Sequence, residues 1–575
     1  MINILSFLIS PSTRIFLIII SMVLFPILPL NIPFFVVFLM GIFIVTGIAL
    51  ELIREFGLIE QSKKFTVFRI VVLVFSSIFL FQAFTLFLKI NLSPLEPQLF
   101  QSAIRTYLTY FYLLITFISL TQSSQLIKIF NVIKSSPALA TVVSFSTVII
   151  IGAMLLTLPI SIVAIEKMSF IDSLFISASA TCVTGLSTVD IGSYYTRFGQ
   201  LIILLLIQIG GIGIITLALS LPIIIGSQTT FTQTMTIRDL TGVRTIREVL
   251  GVAKAVVVST FIIEAIGALI LFFADDSIES LSLRIFSAVF HSISAFCNAG
   301  FSIFPNNLEG YAENYVYITT VMFLVVLGGL GFPVTNNLFH FLRERLILRR
   351  KYNFSFHTKI VLTTSAMLII GGSVLFSLLE WNNSLASYDF GTKLINSVFM
   401  SITPRTAGFN TVQLTGINYS TTLIIMVLMF IGASPSSTGG GIKTTTFATM
   451  LYSLRALIRN KEYVEAFRRT IPINSIYKAL NVAFISFIIV FVSTFFLSLT
   501  ERDKDFIEII FEVFSAFGTV GLSLGITPQL SFTGKIIIIF TMLVGRIGPL
   551  TVAIVFSKKK YSGSYKYPED HIIIG

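Results

Sequence analysis

Apolar runs of membrane-crossing length follow one another along most of this chain, and they constrain its fold more than any other feature. A backbone in hydrocarbon must satisfy its own N–H and C=O groups, which leaves helices or a closed barrel. The runs at 13–30, 33–52, 67–88 and 107–120 read as helices. So do eight more, at 138–160, 198–225, 252–273, 316–339, 358–379, 420–457, 479–499 and 535–556. The balance of residues agrees: of 575, 55% are hydrophobic and 11% charged, outside the range of soluble globular domains. The net charge of +12 does not point to nucleic acid, because Lys and Arg gather in the short segments on one side of the runs. That asymmetry puts the basic side, with both termini, in the cytoplasm. The N-terminus does not read as a signal peptide, since its first basic residue, Arg14, comes late and no small-residue cleavage site follows.

Between the members of each later pair of runs sits a short stretch ending on glycine. The first is Thr181-Cys182-Val183-Thr184-Gly185-Leu186. It is echoed by Cys297-Asn298-Ala299-Gly300-Phe301, by Thr406-Ala407-Gly408-Phe409-Asn410 and by Thr519-Val520-Gly521-Leu522-Ser523. The glycines recur about every 110 residues, a period long enough for a whole supersecondary unit. A short apolar segment rich in Phe and Ser precedes each echo, as at 170–180, 284–296 and 507–517. The physical reading is an all-α membrane protein in which four helix–pore loop–helix units surround one pore. A bare cation cannot cross hydrocarbon, and a ring of inward carbonyls can replace its water. Such carbonyls need backbone angles that glycine tolerates. Thr519-Val520-Gly521 is also the tripeptide of potassium-channel filters. The stretches Val183-Thr184-Gly185, Asn298-Ala299-Gly300, Thr406-Ala407-Gly408 and Thr519-Val520-Gly521 are therefore the candidate ion-binding residues. A side chain added at Gly185 is expected to alter one wall only.

The run at 420–457 is too long for one crossing, since a continuous helix of that length would span almost 60 Å. Its middle holds Pro435, Gly439, Gly440, Gly441 and Lys443. Proline and glycine there predict two half-helices joined by an irregular loop with unpaired carbonyls, only marginally held in place. Arg546 lies within the last run, where a charge must face protein or water. Two partners are open to it: the acidic Glu264 in the second outer helix, or the broken loop. The clusters Gly210-Gly211-Ile212-Gly213 and Gly328-Gly329-Leu330-Gly331 read as close-packing surfaces. Cys182 and Cys297 read as free small residues, and no metal-ligand or catalytic constellation is legible, so no enzyme is expected.

From the four glycine stretches, the Gly-rich stretch after the third of them, and Arg546, the chain resembles the Trk/Ktr/HKT superfamily of potassium transporters. It is closest to the bacterial membrane subunits, and the resemblance runs from about 139 to 556. The resemblance implies potassium uptake across the cytoplasmic membrane through a filter, with the 435–443 loop and Arg546 as a gate beneath it. It implies a homodimer and a KtrA/TrkA-like cytoplasmic ring of nucleotide-binding regulatory subunits. The basic faces at 343–351 and 455–469 would dock that ring. No cofactor is expected in this chain, nucleotide enters only through the regulator, and potassium is the transported ion. Sodium is a candidate activator. Within the family, serine in place of the first glycine goes with sodium, so Gly185 favours potassium. The expected units are 1–137, an extension with about four spans, then 138–226, 227–340, 341–458 and 459–575, the last with a cytoplasmic tail. The alternative is a twelve-span alternating-access secondary transporter for another cation or solute, which would need no glycine period.

Overall fold

The computed structural model describes residues 137–163, 169–224, 246–556 and 570. The expected extension at 1–137 lies outside the described residues except for its last position, as do 225–245 and nearly all of the tail from 557.

One sequence of elements occurs four times: a long outer helix, a short helix, a glycine turn and a return helix. The outer helices are α1 (Pro137–Leu156), α4 (Ile246–Ala274), α8 (Phe356–Glu380) and α12 (Ile473–Thr500). The short helices are α2 (Phe170–Thr181), α5 (Leu281–Phe296), α9 (Phe390–Ile402) and α13 (Phe506–Gly518). The return segments are α3 (Arg197–Ile224), α6 (Tyr315–Leu330) with α7 (Phe332–Leu342), α10 (Tyr419–Phe430) with α11 (Thr444–Ile458), and α14 (Phe532–Ile547) with α15 (Pro549–Phe556). The unbroken helices long and apolar enough to span a membrane are, among the described residues, Ala138–Leu156, Ala255–Ala274, Phe356–Glu380 and Ile473–Thr500. They belong to the four outer helices. Their outward faces carry large apolar side chains such as Phe261, Leu269, Phe484, Phe487 and Phe491, all exposed, as lipid contact requires.

Each outer helix lies against the short helix that follows it. In three of the four units one device sets that packing. The hydroxyl of Ser177 donates to the carbonyl of Ile149 at 2.7 Å, Ser292 to Glu264 at 2.6 Å and Ser401 to Ile369 at 2.7 Å. One helical turn further on stands Gly152, Gly267 or Gly372, where a methyl group would strike that same serine. Glycine lets the helices approach closely enough for the serine to reach across. The return helices then lock the units together in a cycle. α3 packs on α5, α6 on α9, α10 on α13, and α14 on the first short helix, α2.

The sequence expectation of one broken return helix is too few. The third is broken as expected, between Phe430 and Thr444. The runs read as continuous at 198–225, 316–339 and 535–556 are interrupted as well. Their breaks fall at Gly213 (φ 51°), Gly331 (φ 83°) and Gly548 (φ 96°). At Gly331 the chain turns by 110°. The residue pattern was present: Gly210-Gly211-Ile212-Gly213, Gly328-Gly329-Leu330-Gly331 and Gly545-Arg546-Ile547-Gly548 share one spacing. The first glycine of each lies on a closing carbonyl of its own short helix, Thr181, Phe296 or Phe517, where a methyl would overlap the oxygen. The last glycine carries the left-handed φ that stops the helix. Close packing was the sequence reading of the first two clusters, and breaking the helix is their second role.

These breaks are testable by stability. A methyl at Gly548 meets no atom within 4 Å, so Gly548→Ala carries backbone strain alone, about 1–2 kcal/mol. At Gly331 a methyl also overlaps the carbonyl oxygen of Pro435. Thermal unfolding of the detergent-solubilised protein should show a larger loss for Gly331→Ala than for Gly548→Ala. Equal losses would mean that the contact with Pro435 carries no weight.

Candidate ion pathway

The four glycine turns share a backbone pattern. Each has a left-handed residue two before the glycine and a left-handed glycine. The pairs are Val183 (φ 58°) and Gly185 (φ 94°), Asn298 (60°) and Gly300 (67°), Thr406 (78°) and Gly408 (78°), and Thr519 (49°) and Gly521 (98°). In an extended strand successive carbonyls point to opposite sides. Reversing the sign of φ at alternate residues turns them toward one side. One of these left-handed residues is Asn; Val183, Thr406 and Thr519 are β-branched, the type that sequence rules least expect there.

The short helix supports its own turn. The backbone N–H of Thr184 donates to Ser179 O at 2.8 Å, that of Ala299 to Ser294 O at 2.7 Å, and that of Val520 to Ser515 O at 2.9 Å. In the third unit Ala407 donates to Thr403 O at 2.9 Å. The same residues act through their hydroxyls. Gly185 N–H donates to Ser179 Oγ and Gly521 N–H to Ser515 Oγ, both at 3.1 Å, while Ser294 and Thr403 donate to Phe301 O and Phe409 O. These four were missed as site residues, although the serine-rich segments before each glycine were visible.

The glycines meet edge to edge. A methyl group built on Gly185 would lie 3.3 Å from the Cα of Gly300, and one on Gly300 2.8 Å from that of Gly408. One on Gly408 would lie 3.2 Å from Gly521, and one on Gly521 3.0 Å from Gly185. In each case the methyl would overlap the carbonyl oxygen just before the next glycine, at Ala299, Ala407, Val520 and Thr184 in turn. The four turns thus form a closed cycle with no room for a Cβ. The expectation that a side chain at Gly185 alters one wall is corrected: it also displaces Ala299 on the neighbouring wall. Asn307, another residue the sequence did not single out, spans two turns. Its amide donates to Gly300 O at 3.5 Å and to Gly408 O at 3.4 Å. Nearby, burial raises the Glu309 carboxyl above its ordinary range, and a hydrogen bond from Asn410 at 2.7 Å opposes that.

The loop between α10 and α11 lies against this cycle on the side of the residues that precede the glycines. Gly440 N–H donates to Thr519 Oγ1 at 3.0 Å, and a methyl on Gly439 would strike the Thr406 side chain. The loop is not left unpaired, contrary to the sequence expectation. Ser434 N–H and Thr438 N–H donate to Gly329 O and Gly328 O at 3.0 and 3.3 Å, and Ser436 O accepts from Phe332 N–H at 3.1 Å. Pro435 sits at this same seam, its carbonyl facing Gly331. Gly441 (φ 66°) and Ser436 (φ 59°) turn the chain within it. Lys443 Nζ donates to Gly439 O at 2.7 Å.

Arg546 completes the loop's hold. Its guanidinium is buried and donates to Thr438 O and to Gly210 O. It joins the third unit's loop to the first unit's return helix from a position on the fourth. Glu264 is not its partner. That carboxylate instead accepts from the Gln208 amide at 3.2 and 3.1 Å, beside Cys297 Sγ at 3.7 Å. Arg546 occupies the place that Gly211 and Gly329 hold in the matching tetrapeptides, where the backbone already lies close to the loop and the cycle.

Broken return helices and a ring of glycine turns, held between lipid-facing outer helices, define a multi-pass membrane protein of the transport class. The chain belongs to the TrkH family of cation transport proteins, whose sequence profile matches residues 102–567. It is therefore a transporter and not an enzyme. It is 41% identical over 450 residues to Ktr system potassium uptake protein B of Bacillus subtilis (strain 168), covering 78% of this chain and 99% of that one. The corresponding protein of Vibrio alginolyticus is 37% identical over 434 residues, covering 75% and 93%. The potassium/sodium uptake protein NtpJ of Enterococcus hirae is 34% identical over 448 residues, covering 77% and 98%. The crystal structure of the potassium transporter TrkH from Vibrio parahaemolyticus has the same fold, with a TM-score of 0.60 over 85% of this chain and 97% of that one at 18% identity.

The loop's attachment can be measured. Thr519→Val keeps the shape of that side chain and leaves Gly440 N–H without its acceptor. Amide exchange in 431–443 should quicken by about tenfold, the weight of one hydrogen bond, with exchange in the outer helices unchanged. An unchanged rate in the loop would mean that the Thr519 contact does not hold it.

Proposed function

We propose that this chain is the translocating subunit of a potassium uptake system in the cytoplasmic membrane. In this reading four helix–turn–helix units surround a pseudo-four-fold pore. Their bounds are 138–226, 227–340, 341–458 and 459–575, and four further spans precede them. The filter is made by Val183-Thr184-Gly185, Asn298-Ala299-Gly300, Thr406-Ala407-Gly408 and Thr519-Val520-Gly521, whose carbonyls replace the ion's water. The observation that carries the reading is the edge-to-edge cycle of the four glycines, with its paired left-handed residues. An alternating-access carrier requires no such cycle.

The gate is the loop containing Pro435, Gly439, Gly440, Gly441 and Lys443, held shut by Arg546. The arginine binds a loop carbonyl and sets a positive charge in the path of a cation. The chain works as a homodimer with both termini in the cytoplasm, and potassium is its cargo, with sodium as an activator. A cytoplasmic nucleotide-binding ring docks on the exposed basic faces that include Arg345, Arg349, Arg350, Lys351, Arg459 and Arg469. Support for the ion comes from the three relatives named above as potassium or potassium/sodium uptake proteins, and support for a further component from the two named as part of a Ktr system.

Potassium flux into reconstituted vesicles tests both parts. Gly185→Ser should lower potassium preference over sodium by about tenfold, the loss of roughly one well-placed ligand contact. Arg546→Ala should raise resting flux and reduce its dependence on the regulator, and deletion of 436–440 should do the same. Normal insertion with unchanged selectivity in the first variant would exclude the filter. Unchanged resting flux in the second would make Arg546 a structural tie.

A further inference from the structure

Behind two of the four glycine turns stand ionisable side chains with no exposure to solvent. They are His291 on α5 and Glu512 on α13. Both lie nine residues before their glycine, and the other two units place Ile176 and Phe399 there. All four positions are buried, so the fold accepts an apolar residue at this register and does not require a charge.

Each ionisable group reaches the residue two beyond its glycine. Glu512 accepts from Ser523 Oγ at 2.8 Å and from Thr527 Oγ1 at 2.5 Å. Ser523 Oγ in turn accepts from Gly525 N–H at 3.1 Å and lies 3.0 Å from Thr527 Oγ1. The carboxylate thus ties the chain leaving Gly521 back to the helix that leads into it. On α5, His291 Nδ1 is 2.9 Å from the carbonyl of Ser287, which can only accept. In the neutral ring Nδ1 therefore carries the proton, and Nε2 accepts from Ser302 Oγ, 2.9 Å away. Phe304 stacks on the imidazole at 4.5 Å between ring centres. Ser302 Oγ also accepts from Phe304 N–H at 3.0 Å.

The two braces are placed symmetrically. Gly300 adjoins Gly185 and Gly408, and Gly521 adjoins the same two. The braced walls therefore face each other across the ring, and the walls backed by Ile176 and Phe399 form the other pair. In the first unit the matching Ser187 donates, among the described residues, to its own segment at Val189 O, 2.5 Å away. In the third, Asn410 takes Glu309 from a different element.

We propose that Glu512 and His291 are positioning residues that hold two opposite walls of the ring apart at their outer end, and so set the preference for potassium over the smaller sodium ion. The inference rests on the filter reading above. A smaller ion is bound well only if carbonyls move inward to meet it. A wall tied through a buried side-chain hydrogen bond resists that movement more than one backed by an apolar side chain.

The test is competition of sodium against potassium uptake in vesicles holding equal amounts of protein, with half-saturation and maximal flux read separately. Glu512→Leu and Ser523→Ala should each reduce the preference for potassium by about tenfold, as expected for one buried hydrogen bond. Maximal flux should fall far less. Glu512→Gln, whose amide oxygen still accepts a hydroxyl, should keep the preference within about threefold. His291→Phe, which installs the third unit's residue, should act like Glu512→Leu. Ser523→Ala leaves the buried carboxylate in place, so it decides the matter if Glu512→Leu does not insert. Gly521→Ser is measured alongside. If it loses preference while Glu512→Leu, Ser523→Ala and His291→Phe keep that of the parent, the bracing proposal is wrong and the filter reading stands. If Gly521→Ser keeps it as well, both fall.

Discussion

The contact between one glycine and the carbonyl preceding the next, repeated around four turns, is the constraint on which the other features depend. It leaves no space for a Cβ at Gly185, Gly300, Gly408 or Gly521. The four short helices must then converge, and each ends beside its own turn, with a Ser or Thr beneath it. Convergence in turn requires close helix contacts, which Gly152, Gly267 and Gly372 permit on the outer side and Gly210, Gly328 and Gly545 on the inner side. Much of the glycine content of this chain thus serves one geometric purpose, which is to bring backbones together in the middle of a membrane.

The second consequence concerns charge. Arg546 lies in an apolar run yet, among the described residues, pairs with no carboxylate; it donates to two backbone carbonyls from different units. Backbone carbonyls take donors on both terminal nitrogens, Nε has no partner among the described residues, and none of these contacts cancels the charge. In the proposed gate, a cation at that point would meet a positive group, and the Thr438 carbonyl is already occupied. Lys443 donates to Gly439 O and brings a second basic group to the loop. The loop is held by several bonds to two other units, the second and the fourth, so a movement of either return helix would release it in part.

Much of this was legible in the residues. The outer helices, the four turns and the broken third return helix all follow from hydropathy, glycine spacing and one overlong run. The other breaks were missed because Gly213, Gly331 and Gly548 lie inside apolar runs, where hydropathy reads straight through a glycine. Their shared spacing with Gly210, Gly328 and Gly545 was the available signal. Of the two partners open to Arg546, the loop holds it, and Glu264 drops out for a different reason. Two opposite charges in apolar spans invite pairing, yet Gln208 supplies the carboxylate's donors and backbone carbonyls supply the arginine's acceptors. Side-chain direction around a ring of four units cannot be read from a linear sequence, and the same limit hid Asn307, His291 and Glu512.

The most direct measurement of the central claim is anomalous diffraction from crystals grown in thallium or rubidium in place of potassium. The account predicts a peak on the ring axis, within coordination distance of carbonyls from all four glycine turns, that weakens when sodium is exchanged in. A peak confined to one side of the ring, or lying between the two halves of the chain with the glycine turns bare, would contradict it.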